Sequence, residues 1–173
     1  MKDYVVNNLD RLLKQFEKNA KANNIEIAWA AKSKDVIDIV ARIAEKHEAK
    51  LVVKTKSMVS EELDLNSHLE NLGIKSLETD LGEFIVQTAG EKPYHILTPA
   101  MHKSKEDVAE LFTEKFGTDP DADPKQITAY VRKYLREQFQ NADLGFAGAN
   151  FLIADTGSIA LTENEGNGIM TAS

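Results

Sequence analysis

Residues 51–85 read LVVKTKSMVSEELDLNSHLENLGIKSLETDLGEFI, and they alternate twice between strand and helix patterns. The apolar run Leu51–Val53 predicts a strand, and Ser60 predicts the cap of a helix whose leucines recur at helical spacing. Residues 74–78 predict the next strand. The segment Asp80–Glu83 has the spacing of a capping box, which opens a further helix. A strand, helix, strand order of this kind favours a parallel sheet.

The residues before this stretch continue the same alternation. Apolar side chains follow helix spacing through residues 1–24 and predict a leading helix. Ile25–Trp29 predicts a short strand, and Asp35–His47 predicts a helix with Ser33 as its possible cap.

The residues after it extend the pattern to the end of the chain. Tyr94–Thr98 predicts a fourth strand, and the capping-box segment Ser104–Asp107 predicts the start of a helix. A second helix is predicted to begin at Asp123-Pro124, because proline is favoured at the first helical position. Residues 144–147 predict another strand.

Two short apolar runs, Phe151–Ala154 and Ser158–Leu161, flank the turn sequence Asp155-Thr156-Gly157 and predict a hairpin. Together these elements predict an α/β fold, with a mostly parallel sheet covered by helices on both faces. We expect residues 1–173 to form a single domain. An apolar segment begins within residues 168–173, so we also expect a fragment truncated at its C-terminus.

Composition narrows the classes of function. The net charge is −7 and no dense run of Lys or Arg occurs, which argues against nucleic acid or an anionic membrane surface as the main partner. No apolar stretch approaches the length of a membrane span. The chain contains no Cys, which excludes disulfides and thiolate catalysis. We therefore expect a cytoplasmic protein.

In open parallel sheets, ligands bind beyond the carboxyl ends of the strands. The loop after the strand at residues 51–53 carries Lys54, Lys56, Ser57 and Ser60 and runs into a predicted helix start. Ammonium groups, hydroxyl groups and the N–H groups of a helix start all attract anions. We predict a site for a small anion here. The alternative is an ordinary capped helix with solvated lysines.

The cluster that follows the hairpin is unusually rich in side-chain oxygens. Glu163 and Glu165 alternate with Asn164, so in an extended chain the two carboxylates point to the same side. Two such carboxylates suit acid–base chemistry, and we predict Glu163 and Glu165 as catalytic residues. Gly166 permits a close backbone approach, and Asn167 completes the cluster. The alternative is a solvated strand end.

Three further residues complete the predicted ligand site. His102 lies beyond the fourth predicted strand, and Thr156 lies in the hairpin turn. Glu83 is the second residue of the capping-box segment Asp80–Glu83. No metal site is expected, because His95 and His102 lack a third ligand at a suitable spacing. No Gly-x-Gly-x-x-Gly motif indicates a dinucleotide site.

Several motifs together resemble the lactate-utilisation (LUD) domain family, and within it the LutB type. The similar segments are Lys54–Glu62, Glu78–Glu83, Lys92–His102, Gly148–Ile159 and Glu163–Asn167. The resemblance implies a fold like that of sugar-phosphate isomerases, coenzyme A transferases and formyltetrahydrofolate cyclo-ligase. It also implies a role in oxidising L-lactate to pyruvate together with other lactate-utilisation subunits.

Full-length relatives of the LutB type continue into Cys-rich segments that bind [4Fe–4S] clusters. This chain has no Cys, so we expect no cofactor in it. Three hypotheses follow. The chain is the ligand-binding domain of a LutB-like protein, or a self-sufficient enzyme of the transferase, isomerase or cyclo-ligase type using Glu163 or Glu165, or a structural domain that docks partner subunits.

Overall fold

The computed structural model describes residues 2–95, 98–163 and 165–173. In these ranges the strands are β1 (Leu51–Lys54), β2 (Lys75–Glu78), β3 (Leu144–Phe146), β4 (Phe151–Ile153) and β5 (Ser158–Ala160). The helices are α1 (Lys2–Asn7), α2 (Leu9–Ala22), α3 (Ser33–Lys46), α4 (Met58–Glu62), α5 (Leu65–Asn71), α6 (Leu81–Ala89), α7 (Lys105–Phe116), α8 (Pro124–Asn141) and α9 (Asn167–Ala172).

The central sheet has the strand order β2-β1-β3, and both outer strands run parallel to β1. Helices α4 and α5 connect β1 to β2, and helices α6, α7 and α8 connect β2 to β3. Strands β4 and β5 form a separate antiparallel hairpin. The predicted α/β class with a parallel sheet is confirmed.

Apolar side chains of the sheet pack against helices on both faces. Leu51 and Leu77 contact a core built largely from α6, α7 and α8, in which Phe112 is completely buried. Val52, the neighbour of Leu51, belongs to a second core with Leu65 and other residues of α3 and α5. Successive strand residues point to opposite faces, so the alternation of Leu51 and Val52 between the two cores confirms the predicted layers.

Helices α7 and α8 begin at the capping residues that the sequence predicts. Ser104 and Asp107 form the predicted capping box of α7, which ends at Gly117 in the left-handed conformation with φ +67°. Asp123 caps α8 through the N–H of Gln126 at 2.8 Å, with Pro124 at the first helical position. These ends were predictable because each depends on residues three or four positions apart.

Two strand predictions are wrong for the described residues. Ile25–Trp29 pairs with no described strand; the N–H of Ile25 returns to the carbonyl of Ala20 and closes α2 instead. In the predicted strand Tyr94–Thr98, the described residues are not in a strand, and the N–H of Tyr94 donates to Pro99 across a loop. Residues 96 and 97 of that prediction lie outside the described residues.

The predicted hairpin is confirmed, and α2 holds its turn. The side chain of Asn19 donates to the carbonyl of Ala154 at 2.9 Å, and that of Asn23 donates to the carbonyl of Thr156 at 2.8 Å. Gly157 has φ +71°, and a Cβ added there would overlap the backbone of Asn19 and Ala20. Only glycine therefore combines this φ with such close contact between turn and helix.

A side chain occupies the outer edge of β2. The amide of Gln87 in α6 donates to the carbonyl of Ser76 at 2.9 Å and accepts from the N–H of Glu78 at 3.0 Å. The amide thus bonds two backbone groups of an edge strand that a further strand would otherwise use.

Among the described helices, none is long and apolar enough to cross a membrane.

Candidate functional site

The carboxyl ends of β1 and β2 carry a buried ion pair. Lys54, the last residue of β1, is the register partner of Glu78, the last residue of β2. The Nζ atom of Lys54 lies 2.6 Å from Oε1 of Glu78. The two residues are 0% and 2% exposed. Because neighbouring parallel strands end at the same edge, their register places these opposite charges side by side.

Two further acceptors surround the ammonium group of Lys54. It lies 2.9 Å from Oγ of Ser60 and 3.1 Å from Oε1 of Glu61. An ammonium group has three N–H donors, and Ser60, Glu61 and Glu78 provide three acceptors. Lys54 and Ser60 were predicted to present donors to an external anion. The structure directs both side chains inward, because Lys54 ends a buried strand and α4 folds over it.

Ser60 was predicted to cap the helix that carries the leucines, but that helix is α5, which begins after Asp64, and Ser60 lies within α4, which Ser57 caps. The Oγ atom of Ser57 accepts from the N–H of Ser60 at 3.4 Å, while Ser60 lies within the helix and is 1% exposed. Gly148 lies against this cap, since a Cβ added at Gly148 would come within 3.4 Å of the Ser57 side chain. The structure therefore brings the segment before the hairpin to the edge where Lys54 ends.

Glu78 has a second donor on the same oxygen that Lys54 contacts. The side-chain amide of Asn66 donates to Oε1 of Glu78 at 2.8 Å, and its carbonyl accepts from Ser76 Oγ at 2.7 Å. Burial raises the pKa of Glu78, while the charge of Lys54 and the hydrogen bond from Asn66 act in the opposite direction. The carboxylate is thus held rigidly in a place where its charge is poorly solvated.

A second group of charged side chains lies at the start of α6. Asp80 caps this helix through the N–H of Glu83 at 3.2 Å, and Lys56 Nζ lies 3.5 Å from the other oxygen of Asp80. Burial, followed by the negative charges of Glu78, Glu61 and Asp80, raises the pKa of Glu83 to about 7. Glu83 therefore titrates near neutral pH.

Glu165 belongs to this second group. Its carboxyl group lies near Asp80, Lys56 and the backbone N–H of Leu81. Burial and then the charge of Asp80 raise the pKa of Glu165, and Lys56 opposes them. Two neighbouring carboxyl groups disfavour each other's ionisation, so Glu165 holds its proton to a higher pH than a solvated carboxyl group does.

Glu163 has a different partner from Glu165. Oε2 of Glu163 accepts from the N–H of Gly168 at 2.7 Å, at the start of α9. After Glu165, Gly166 adopts φ +82° and turns the chain into α9. Catalytic roles for Glu163 and Glu165 stay predictions.

The rest of the cluster after the hairpin is placed as follows. Asn167 reaches the sheet edge, where its amide donates to Oγ1 of Thr79 at 3.4 Å. Gly166 is required by its left-handed φ and not by a close approach, since no described atom lies within 4 Å of a Cβ added there. Asn164 lies outside the described residues.

The structure places His102 and Thr156 elsewhere. His102 Nε2 lies 2.7 Å from a carboxylate oxygen of Glu91, just beyond the C-terminal end of α6. Glu83 is in the first turn of that helix, about 12 Å away along its axis at about 1.5 Å per residue. Thr156 bonds Ser158 at 2.9 Å within the hairpin turn. Neither residue joins the charged groups at the sheet edge.

Sequence reasoning missed three residues of this edge, namely Glu61, Asn66 and Glu78, and treated Asp80 only as a cap. A usable signal was present. Lys54 directly follows one predicted strand and Glu78 ends the next, and such positions meet at one edge when neighbouring strands are parallel.

The residues of this chain do not fit an iron–sulfur cluster. Such clusters are held chiefly by Cys thiolates, and the chain contains no Cys. In the described ranges, no group of three or more His, Asp or Glu side chains is arranged to hold a metal ion.

The fold and site define a class: an open parallel α/β domain with a buried charged network at the carboxyl ends of its strands. The model of the LUD domain family matches residues 13–173. The chain is 41% identical over 167 residues to lactate utilization protein B 2 of Bacillus mycoides strain KBAB4. It is 40% identical over the same length to lactate utilization protein B of Bacillus cytotoxicus and of Bacillus cereus strain B4264.

This chain belongs to the LUD domain family. Each of these alignments covers 96% of the chain but 35% of the relative, so the chain spans about a third of the length of the curated relatives it matches. No solved structure matches the chain.

Proposed function

We propose that the chain is the ligand-binding domain of a LutB-like protein that takes part in the oxidation of L-lactate to pyruvate. The observation that carries this proposal is the alignment of 96% of the chain with proteins named lactate utilization protein B. The charged edge of the sheet supports it, because this is where open parallel α/β domains bind their ligands.

The proposed ligand is a small organic anion, and Lys56 is its anchor. The side chain of Lys56 is 32% exposed, whereas that of Lys54 is 0% exposed. The contact of Lys56 with Asp80 at 3.5 Å is long compared with about 2.7–2.9 Å for a strong charged hydrogen bond. A ligand carboxylate can therefore replace Asp80 as the partner of Lys56.

Electron transfer is assigned to other parts of the system. The residues of this chain do not fit an iron–sulfur cluster, so their proposed work is to bind and orient the ligand. The proposed partners are other lactate-utilisation subunits, and the proposed location is the cytoplasm.

A chimaeric protein tests this proposal. In lactate utilization protein B of Bacillus cereus strain B4264, the matched segment is replaced by the present chain, and growth on L-lactate as sole carbon source is measured in a strain lacking its own copy. The reintroduced parent gene is the control. We expect the chimaera to restore growth, and Lys56→Ala in the chimaera to reduce it. A chimaera that accumulates normally but restores no growth contradicts the proposal.

A self-sufficient enzyme is the second candidate, and the environment of Glu165 favours it. A carboxyl group with a raised pKa at a sheet edge suits general acid–base work. The test is acyl or adenylyl transfer by the isolated chain, with Glu165→Gln and Glu163→Gln as variants. Turnover that Glu165→Gln abolishes would favour this candidate over the first.

A further inference from the structure

One oxygen of the Glu78 carboxylate has a buried and incomplete environment. Oε1 accepts from both Lys54 and Asn66, whereas Oε2 is buried and has no hydrogen-bond partner among the residues that the structure describes. Glu78 is 2% exposed. A buried acceptor without a donor destabilises the protein, so the carboxylate is suited to a donor that arrives from outside the chain.

The charges around Glu78 also lack a positive complement. Five carboxyl groups and two ammonium groups lie at this edge, so three negative charges are in excess when all of them are ionised. The carboxyl groups are those of Glu61, Glu78, Asp80, Glu83 and Glu165, and the ammonium groups are those of Lys54 and Lys56. Glu78, Asp80 and Glu83 are each less than a tenth exposed. Water therefore screens this excess poorly.

Protons supply part of the missing positive charge. Burial and neighbouring carboxylates raise the pKa of Glu83 to about 7 and raise that of Glu165. Over the described residues, the acids are not arranged as a metal site. The group that suits this edge is therefore an organic hydrogen-bond donor.

We propose that Glu78 and Glu83 form the inner wall of the ligand site and recognise a hydrogen-bond-donating group of the ligand, either a hydroxyl or an ammonium. This inference rests on the proposed function, because it concerns the same site. Lys56 contacts the anionic end of the ligand, and the free oxygen of Glu78 accepts from its donor group. The site thereby distinguishes ligands by the substituent next to the carboxylate.

Four three-carbon acids test which donor group the site recognises, because they share a carboxylate and differ in the substituent on the neighbouring carbon. L-lactate presents a hydroxyl, L-alanine an ammonium, pyruvate a carbonyl acceptor and propionate no polar group. Calorimetric titration of the purified chain with each acid gives four dissociation constants. We expect L-lactate or L-alanine to bind at least about tenfold more tightly than pyruvate and propionate, the difference that one hydrogen bond to a charged group provides. Whichever of the two binds more tightly identifies the donor.

Isosteric variants assign the discrimination to its residues. Glu83→Gln and Glu78→Gln should reduce the preference for the donor-bearing acid to about threefold or less, since a neutral amide is a weaker acceptor than a carboxylate. Glu62→Gln, at an exposed position beside Glu61 in α4, is the matched control and should keep the preference. If Glu78→Gln does not fold, Glu83→Gln and the four titrations of the unaltered chain still decide the question.

Propionate or pyruvate binding as tightly as both donor-bearing acids would overturn the inference, and so would binding of none of the four. Retention of the full preference by Glu83→Gln would overturn the assignment to this wall. These results are independent of growth of the chimaera on L-lactate. If the chimaera grows on L-lactate but the chain shows no preference for the donor-bearing acids, only the inference is overturned. If the chimaera does not grow, the proposed function is overturned.

Discussion

Lys54 and Glu78 lie opposite each other at the last position of two neighbouring parallel strands, with their charged atoms 2.6 Å apart and both residues buried. The attraction in such a pair largely offsets the loss of hydration of its two ions, so the pair as a whole adds little net stability. Each charge nevertheless depends on the other. The pair therefore makes the carboxyl edge of the sheet sensitive to the loss of either residue.

Removal of one partner should reveal this dependence. We expect Glu78→Ala to lower the free energy of unfolding by about 3–5 kcal/mol, because Lys54 is left buried with a single carboxylate. Urea denaturation measures the change. Lys14→Ala, which breaks the exposed pair with Asp10, should change it by less than about 0.5 kcal/mol. Equal effects of the two substitutions would contradict the dominance of burial.

The protonation of Glu83 should make stability depend on pH. The folded-state pKa of about 7 lies above the ordinary value of 4.5, so the folded chain retains a proton that the unfolded chain releases. The contribution of this group is fully present below pH 4.5 and is lost as the pH rises through about 7.

We expect the stability of the unaltered chain relative to Glu83→Gln to fall by about 1–2 kcal/mol over this window, after a discount for solvent screening. Denaturation curves at a series of pH values check the direction. A difference that is constant, or that grows with pH, contradicts the environment described for Glu83.

Substitution of two glycines distinguishes the stability cost of a left-handed φ from the cost of a steric clash. Gly157 and Gly90 have nearly the same φ, +71° and +69°. No described atom lies within 4 Å of a Cβ added at Gly90, whereas one added at Gly157 overlaps the backbone of α2. We expect Gly90→Ala to cost about 1 kcal/mol and Gly157→Ala at least about 2 kcal/mol more. Thermal denaturation of both variants measures this difference, and similar losses would show that the turn is not packed on α2.

Lys56 should govern the affinity for carboxylates. Removal of one charged contact typically weakens binding by about 1.5–3 kcal/mol, so Lys56→Ala should reduce affinity for L-lactate roughly tenfold or more. Lys34→Ala, an exposed lysine of α3, is the control for the loss of one positive charge. Unchanged affinity in Lys56→Ala would remove this loop from the site.

Reconstitution with iron and sulfide should yield no cluster. The reason is the lack of Cys in the chain, since thiolates are the usual ligands of such clusters. Visible absorbance after desalting is the measurement, and a ferredoxin treated in the same way is the positive control. A stable stoichiometric cluster on this chain would contradict the expectation that the chain holds no cofactor of its own.

Predictions from sequence succeeded where local chemistry decides the structure. The capping box at Ser104 and Asp107 and the turn at Gly157 depend on residues within a few positions of each other. Ile25–Trp29 has the composition of a strand, but a strand also needs a neighbour, and a pattern within five residues contains no information about one.

Prediction of the site from the sequence has the same limit, because it too depends on residues that are distant along the chain. The polar loops were predicted to meet at one edge, and Lys56, Glu83, Glu165 and Asn167 do lie there. The partner of Lys54 is 24 positions away, at Glu78, and it is determined by the register of two strands. Whether a lysine faces solvent or a buried carboxylate is therefore decided by tertiary structure.

The third hypothesis, a domain that docks partner subunits, stays a prediction.

Gln87 has a consequence for how molecules of this protein meet one another. A strand from a second molecule could join β2 only through backbone groups such as the carbonyl of Ser76 and the N–H of Glu78, and the amide of Gln87 already bonds both. Unoccupied strand edges are where chains stack into amyloid or exchange segments. One side chain thus keeps this side of the sheet from serving as a template for aggregation at high concentrations of the protein.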